Sequence, residues 1–243
     1  MGITQLITQF YRDLPKDSFR KEPAIGQLCW APSLHINKVP MVMEVERADP
    51  KEAFATKFKL RSLTERDFRA RAKLPIKSIN LRQTEELIAS KANKRPAIVV
   101  WGSPIIFEDI ERLLISIRRS HLQEYCLAIV PIYNVEAIDH PGGFPPMMVS
   151  RIKALMYNQF FYCPAMKDIG LAGGVARLDR IQIILPTDRA VLDPLPIALS
   201  EDALAVLLSM FRSWFGSVEE DLNAYKELLR ETLPPNAMPK TLS

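Results

Sequence analysis

An α+β architecture, built on a small and strongly bent antiparallel sheet wrapped by helices, is what the sequence predicts, on three observations. Lys94-Arg95-Pro96-Ala97-Ile98-Val99-Val100-Trp101 and Tyr125-Cys126-Leu127-Ala128-Ile129-Val130-Pro131-Ile132-Tyr133 are short apolar, β-branched runs bounded by turn or charged residues. Runs of this kind read as strands buried on both faces, and these two are the expected centre of the sheet. Apolar residues also recur at helical spacing near both ends, as Ile3, Leu6, Ile7 and Phe10 and again as Leu204, Leu207, Leu208, Phe211 and Phe215. Finally, 48% of the 243 residues are hydrophobic and no internal repeat or low-complexity tract interrupts them, so one elaborated domain with a packed core is expected over 1–243.

Taken in order, residues 1–25 read as an amino-terminal arm with a short amphipathic helix that has to dock on something. Gly26 is a turn glycine leading into a brief strand from Gln27 to Ala31. Val39 to Val45 is a further strand, placed at an edge by Pro40. Ala55 to Leu63 alternates Phe58 and Leu60 with Lys57, Lys59 and Arg61, the pattern of a strand with one wet, cationic face. Thr64-Glu65-Arg66-Asp67 looks like a helix start with Thr64 as N-cap, and Thr84 to Leu87 like a second helical turn. Ile110, Leu113, Leu114 and Ile117 give a helix ending in Arg118 and Arg119, where cations suit the dipole. Pro141 to Pro146 is a loop, Met147 to Met156 a helix, and Phe160-Phe161-Tyr162 continues it or begins a strand. Val175 to Leu185 follows a glycine-rich turn, and its second half is expected as a strand. Ser200 caps the strong helix that Gly216 ends, and 217–243 holds a last helix and a loose, proline-rich tail.

The formal charge of +4 is mild, but its distribution is not. Between Lys57 and Arg82 nine cations face only Glu65 and Asp67, which leaves the remainder net acidic. Such a stretch permits a polyanionic partner, although a charged run is more often a solvated face. Cys29, Cys126 and Cys163 are widely spaced in apolar surroundings, which reads as reduced, buried thiols rather than a disulfide framework or zinc knuckle. No basic start precedes an apolar leader and no apolar run reaches membrane-spanning length, so no membrane partner and a cytoplasmic location are expected. His35, His121 and His140 lack metal-ligand spacing, and no metal site is expected. No GxGxxG, P-loop, GxSxG or HExxH is present, which leaves dinucleotide, serine-hydrolase and zinc-protease readings unsupported.

The order of these elements resembles the MazF/PemK toxins, SH3-like barrels that cleave mRNA. Gly26-Gln27-Leu28-Cys29-Trp30 is similar to the family's opening Gly-Asp-hydrophobic-hydrophobic-Trp strand, and Lys94 to Val100 to its Arg-Pro-Ala/Val-Val-Val strand. Leu127 to Tyr133 resembles the third strand, Val175 to Ile181 the Ala-hydrophobic-small-Asp-Gln-Val segment, and Leu199 to Leu204 the start of the closing helix. The resemblance covers about half the chain and implies an SH3-like (MazF/PemK-type) small antiparallel β-barrel over 26–216, with insertions at about 32–93 and 102–124. It further implies an endoribonuclease acting on single-stranded RNA without a cofactor, as a homodimer, with a protein antitoxin as a possible partner. The family's catalytic pair is the Arg before the Pro and a hydroxyl residue after the third strand. Here the first is Arg95, whereas the second position holds Tyr133, and the acidic residue some members carry five before the Arg falls on Ser90.

Cleavage of RNA by its own 2′-OH requires a held phosphate, proton transfer and stabilisation of charge on the non-bridging oxygens. A guanidinium suits the last task, since its fork presents parallel donors and stays charged. Arg95 is accordingly assigned to electrostatic stabilisation and Tyr133 to positioning, a phenol being a poor base at neutral pH. Lys59, Arg61, Arg69, Arg71 and Lys94 are the expected RNA contacts. Asp179 reads as the residue that fixes the turn at the start of its strand. Two alternatives stay open: a catalytically inactive barrel that binds nucleic acid or protein, because Tyr133 replaces the hydroxyl residue, and a scaffold that meets a protein through its terminal helices.

Overall fold

The computed structural model describes residues 2–15, 17, 19–20, 23–35, 39–46, 57–69, 81–82, 84–103, 108–117, 125–135, 143–217 and 220–234. In chain order the elements are helix α1 (Ile3–Leu6), strands β1 (Tyr11–Asp13), β2 (Gln27–Leu34), β3 (Met41–Glu46), β4 (Lys57–Ser62), β5 (Ile88–Ala89) and β6 (Ala92–Gly102), and helix α2 (Glu108–Ser116). There follow β7 (Leu127–Asn134), α3 (Pro146–Lys153), β8 (Phe160–Cys163), β9 (Gly174–Arg177), β10 (Gln182–Ile184), β11 (Asp193–Leu199), α4 (Glu201–Trp214) and α5 (Glu220–Arg230). They form two compact units, Met1–Pro32 with Lys94–Ser243, and Ser33–Asn93. Among the described residues no helix is long and apolar enough to cross a membrane.

The first unit carries an eight-stranded sheet in the order β1-β11-β2-β6-β7-β9-β8, with β10 also on β7. The β6 and β7 runs lie at its middle and pair antiparallel. Their register slips by one residue between Val99 and Trp101, and the β11–β2 register shifts between Pro194 and Ala198. Bulges of this kind bend a strand, and the antiparallel sheet curls into a half-barrel, so the fold is mixed α+β. Gly26 starts β2 at φ 86, a backbone that favours glycine, while its N–H donates to the Val99 carbonyl at 2.7 Å.

Pro131, in the middle of a central strand, has a specific topological cause. The side of β7 away from β6 is shared: Leu127–Ile129 pair with β10 and Ile132–Asn134 with β9. Between them the partner is interrupted by the 3-10 turn Leu178–Arg180, so Pro131 falls at the break in the ladder, where a missing N–H costs least. That break brings the turn beside the middle of β7, two residues before Tyr133.

Side-chain alternation then sorts the two faces. Even-numbered Ile98, Val100, Ala128, Val130 and Ile132 join the main core with Leu28, Ile152 and Leu155 after α3, and Leu207 and Met210 of α4. Odd-numbered Ala97, Val99, Leu127 and Ile129 meet Cys29, Ala31 and Leu192 in a smaller cluster. Arg95 and Tyr133 continue the odd-numbered rows.

Several local expectations need correcting. The 175–185 segment is strand at both ends, β9 and β10, with a turn between. β3 is the central strand of a three-stranded β4-β3-β5 sheet rather than an edge, since Pro40 lies one residue before the ladder begins and removes no bond from it. Residues 64–69 form turns and not a helix, because Arg61 captures the Asp67 carboxylate, which also accepts the Thr64 N–H at 2.7 Å. At Thr84 the chain makes a single turn, the Glu85 N–H donating to the Arg82 carbonyl at 3.1 Å, and then leads into β5, the Leu87 carbonyl accepting from the Met43 N–H at 2.8 Å. Phe215, read as the end of the apolar stripe of α4, is 71% exposed beyond the last turn. The amino-terminal arm docks through buried Ile3, Ile7 and Phe10, and the Ser200 Oγ caps α4 by accepting from Ala203 at 3.2 Å. Arg118, Arg119, Pro141, Gly142, Val218 and the tail from 235 lie outside the described residues.

Candidate nucleic-acid interface

The β6–β7 register runs through Ala97↔Pro131, and two further residues along it Arg95 comes opposite Tyr133. The side chains meet: the Arg95 guanidinium carbon lies over the Tyr133 ring, 4.7 Å from its centre. Both residues are half-buried.

On the far side of Tyr133 the pairing supplies a second guanidinium. Tyr133 is opposite Val175 on β9, and Arg177 projects to the same face two residues on. The Arg177 guanidinium carbon lies 5.6 Å from the Tyr133 ring centre and 5.4 Å from that of Phe160, its cross-strand partner on β8. The 3-10 turn then folds Asp179 back onto Arg177, whose Nε donates to Oδ1 at 2.9 Å and whose Nη2 donates to Oδ2. Arg180 Nε lies 3.6 Å from the same carboxylate. Asp179 thus takes part in the turn as expected from the sequence and also sets the direction of Arg177, whose pKa it raises through hydrogen bonding first and charge second, against the opposing effect of burial. Three guanidinium groups against one carboxylate leave the cluster positive. Farther along the same strands Lys153 Nζ sits 4.6 Å over the Tyr162 ring, so cations on aromatic faces recur across this part of the sheet.

Chemically the cluster offers phosphate-binding donors beside rings. A guanidinium held over a ring keeps N–H groups at its edge for an anion in its plane. The groups able to take part in proton transfer here are the Tyr133 hydroxyl and the Asp179 carboxylate, the latter already hydrogen-bonded by Arg177 and ion-paired with Arg180. Among the described residues no group of three or more His, Cys, Asp and Glu is arranged to hold a metal ion.

Of the other expected contacts, Lys94 lies next to Arg95 in β6 and its Nζ is 3.5 Å from the Arg189 carbonyl oxygen. Lys59, Arg61 and Arg69 belong to the Ser33–Asn93 unit, and Arg71 lies outside the described residues, as do His121 and His140. Arg61 is committed inside its own unit, to Asp67 at 2.5 and 2.9 Å and to Glu44 at 3.3 Å, and its hydrogen bonds to Asp67, followed by that of the Thr64 N–H, hold the Asp67 carboxyl well below the usual carboxylate range. Lys59 stands opposite Glu44 in the β3–β4 ladder. On the other face of β4, Phe58 and Leu60 are 55% and 49% exposed, opposite Val45 and Met43. The cationic face of this strand is therefore partly neutralised by its neighbour.

The sequence reading did not select Arg177, Arg180 or Phe160. The only local signal was Arg-x-Asp-Arg at the end of an apolar run, a spacing common in surface turns. The chain matches no known family model, no curated protein and no solved structure.

Proposed function

We propose that this chain is a MazF/PemK-like endoribonuclease that cleaves single-stranded RNA through attack of the 2′-OH on the adjacent phosphorus. The observation that carries the reading is the Arg95 guanidinium over the Tyr133 ring, with Arg177 approaching the same ring. In this reaction the O2′–P bond forms, the P–O5′ bond breaks, the 2′-OH loses its proton and O5′ gains one. The nucleophile belongs to the RNA, so no metal-bound water is required. Arg95 and Arg177 bind the scissile phosphate and offset the charge that builds on its non-bridging oxygens. The Tyr133 hydroxyl orients the phosphate or the 2′-OH. Homodimerisation, a protein antitoxin, a cytoplasmic location and the SH3-like barrel type belong to the same proposal, on the strength of the resemblance.

A second reading, the same sheet acting as a nucleic-acid-binding module without catalysis, is favoured by one observation. Asp179, the carboxylate of the cluster, already accepts two hydrogen bonds from Arg177 and pairs with Arg180, so its oxygens are occupied by the protein itself. Incubating the purified protein with mixed-sequence RNA in EDTA separates the two. Fragments ending in a 2′,3′-cyclic phosphate, lost in Arg95→Ala, support the ribonuclease. Retention of RNA without product supports the module, and neither product nor binding at low salt rejects both.

A further inference from the structure

A cleft of about 360 Å³ opens in the first unit; Tyr133 is not part of its wall, which is lined by Arg20, Pro23, Tyr125, Thr187, Arg189 and Leu192 among others. Its construction is specific. The amide of buried Gln27 donates to the Phe19 carbonyl at 2.7 Å, fixing Phe19 beside Arg20, whose guanidinium carbon lies 5.0 Å over the Phe19 ring. On the opposite wall the Asp188 carboxylate accepts from Ala190 N–H at 2.7 Å and from Val191 N–H at 3.2 Å, so the acid at the rim is bound into its own turn. Leu192 anchors that wall in the odd-numbered cluster, the face along which Arg95 and Tyr133 continue. Lys94, next to Arg95, reaches the Arg189 carbonyl from the same strand.

We infer that this cleft is a second nucleotide subsite for the same single-stranded RNA, taking a phosphate between Arg20 and Arg189 and a base against the Tyr125 ring. The inference rests on the nucleic-acid reading of the Arg95 site. Two guanidiniums recognise a phosphodiester, an aromatic face accepts any base, and the volume suits one nucleotide and not a folded duplex. Lys94, the β6 neighbour of Arg95, adds a third cation at the Arg189 wall.

The test is fluorescence anisotropy with a labelled single-stranded RNA of mixed sequence, 2′-O-methylated throughout so that binding is read without cleavage. The Arg20→Ala/Arg189→Ala double variant is expected to bind about tenfold more weakly and to lose roughly 0.7 from the magnitude of its log K against log salt slope, the share of one single-strand phosphate contact. Its melting temperature should be unchanged, both side chains being exposed. A control pair, Arg12→Ala/Lys167→Ala, removes exposed cations outside the cleft and should bind like the parent. Parental affinity in the double variant, with loss in Arg95→Ala, overturns the subsite and leaves the proposed function standing. An equal loss in the control pair also overturns it, as diffuse attraction. Failure of the parent protein to bind at low salt removes both.

Discussion

The Arg95 guanidinium carbon lies 4.7 Å from the centre of the Tyr133 ring, at the end of the two strands that form the middle of the sheet. A cation over a half-buried ring gains about 0.5–2 kcal/mol from the contact, which favours the stacked orientation. The arrangement therefore fixes a charge in a set direction before any ligand arrives. Preorganised charge of this kind is what a phosphoryl transition state needs.

Replacing Arg95 tests that role. Arg95→Ala is expected to lower the RNA cleavage rate by about 10²–10³, the usual cost of removing one donor aimed at developing charge. Arg95→Lys keeps the charge and loses the fork, so it should recover binding more than turnover. Single-turnover kinetics over a range of RNA concentrations separates the two effects. Unchanged turnover in Arg95→Ala would remove Arg95 from the reaction.

Tyr133 contributes a ring and a hydroxyl, and two substitutions divide them. Tyr133→Phe retains the platform for Arg95 and Arg177, whereas Tyr133→Leu removes it. If the hydroxyl orients the reacting groups, the Phe variant should bind RNA like the parent but cleave it at least about tenfold more slowly. Equal cleavage by parent and Phe variant would restrict Tyr133 to holding the guanidiniums, and the Leu variant should then lose binding.

The β6–β7 core was legible because a run such as Ala97 to Val100 is apolar at every position, and only burial on both faces accommodates that. Arg95 was legible as the cation bounding that run, although β6 begins three residues earlier, at Ala92, and Arg95 lies within it. Arg177 was not, since its approach to Tyr133 depends on β9 pairing with the last residues of β7 and on the turn that Pro131 makes room for. Neither is a local property of residues 174–180. The failed helix at Thr64 teaches a related lesson: the N-cap pattern was present, but Arg61, three residues earlier, claimed the carboxylate. Propensity lost to a specific ion pair.

Gly174 provides a stability test next to the site. A Cβ there would lie 2.5 Å from Ile132 Cγ2, closer than such atoms approach, and a tight 3.0 Å from the Tyr133 carbonyl oxygen. Gly174→Ala should push β9 away from the end of β7, costing about 1–3 kcal/mol and moving Arg177 off the Tyr133 ring. Denaturant unfolding measures the first effect and RNA affinity the second. A parental unfolding midpoint would show that the strands absorb the methyl group without displacement.

Gln27 is fully buried, and every polar atom of its amide is used. Nε2 donates to the Phe19 and Leu195 carbonyls at 2.7 and 2.9 Å, and Oε1 accepts from Ala24 N–H at 2.8 Å. Gln27→Leu preserves volume but strands these three groups, so a loss of about 2–4 kcal/mol is expected. Because the same bonds hold the Arg20 segment, proteolysis between Phe19 and Ala24 should accelerate. Parental stability would indicate that water replaces the amide.

The buried thiols set a limit at alkaline pH. Burial first, and the nearby Asp193 charge second, push Cys29 up to about 12, and burial does the same for Cys163. An unfolded thiol ionises near about 8.5, so the folded chain retains protons that the unfolded chain releases. The stabilisation is fully present below the unfolded value and is lost as pH rises through the folded value, with a slope on the order of 1 kcal/mol per pH unit for each thiol between the two. Between about pH 8 and about pH 10.5 the parent should therefore lose more stability than a Cys29→Ala/Cys163→Ala variant, in which tyrosine and lysine titrations remain and only the thiol contribution is gone. Denaturant midpoints across that range measure the difference. Native-state alkylation at mildly alkaline pH should likewise reach the half-buried Cys126 first. Parallel pH profiles for parent and variant, or early labelling of Cys163, would mean that the core admits hydroxide more freely than its packing implies.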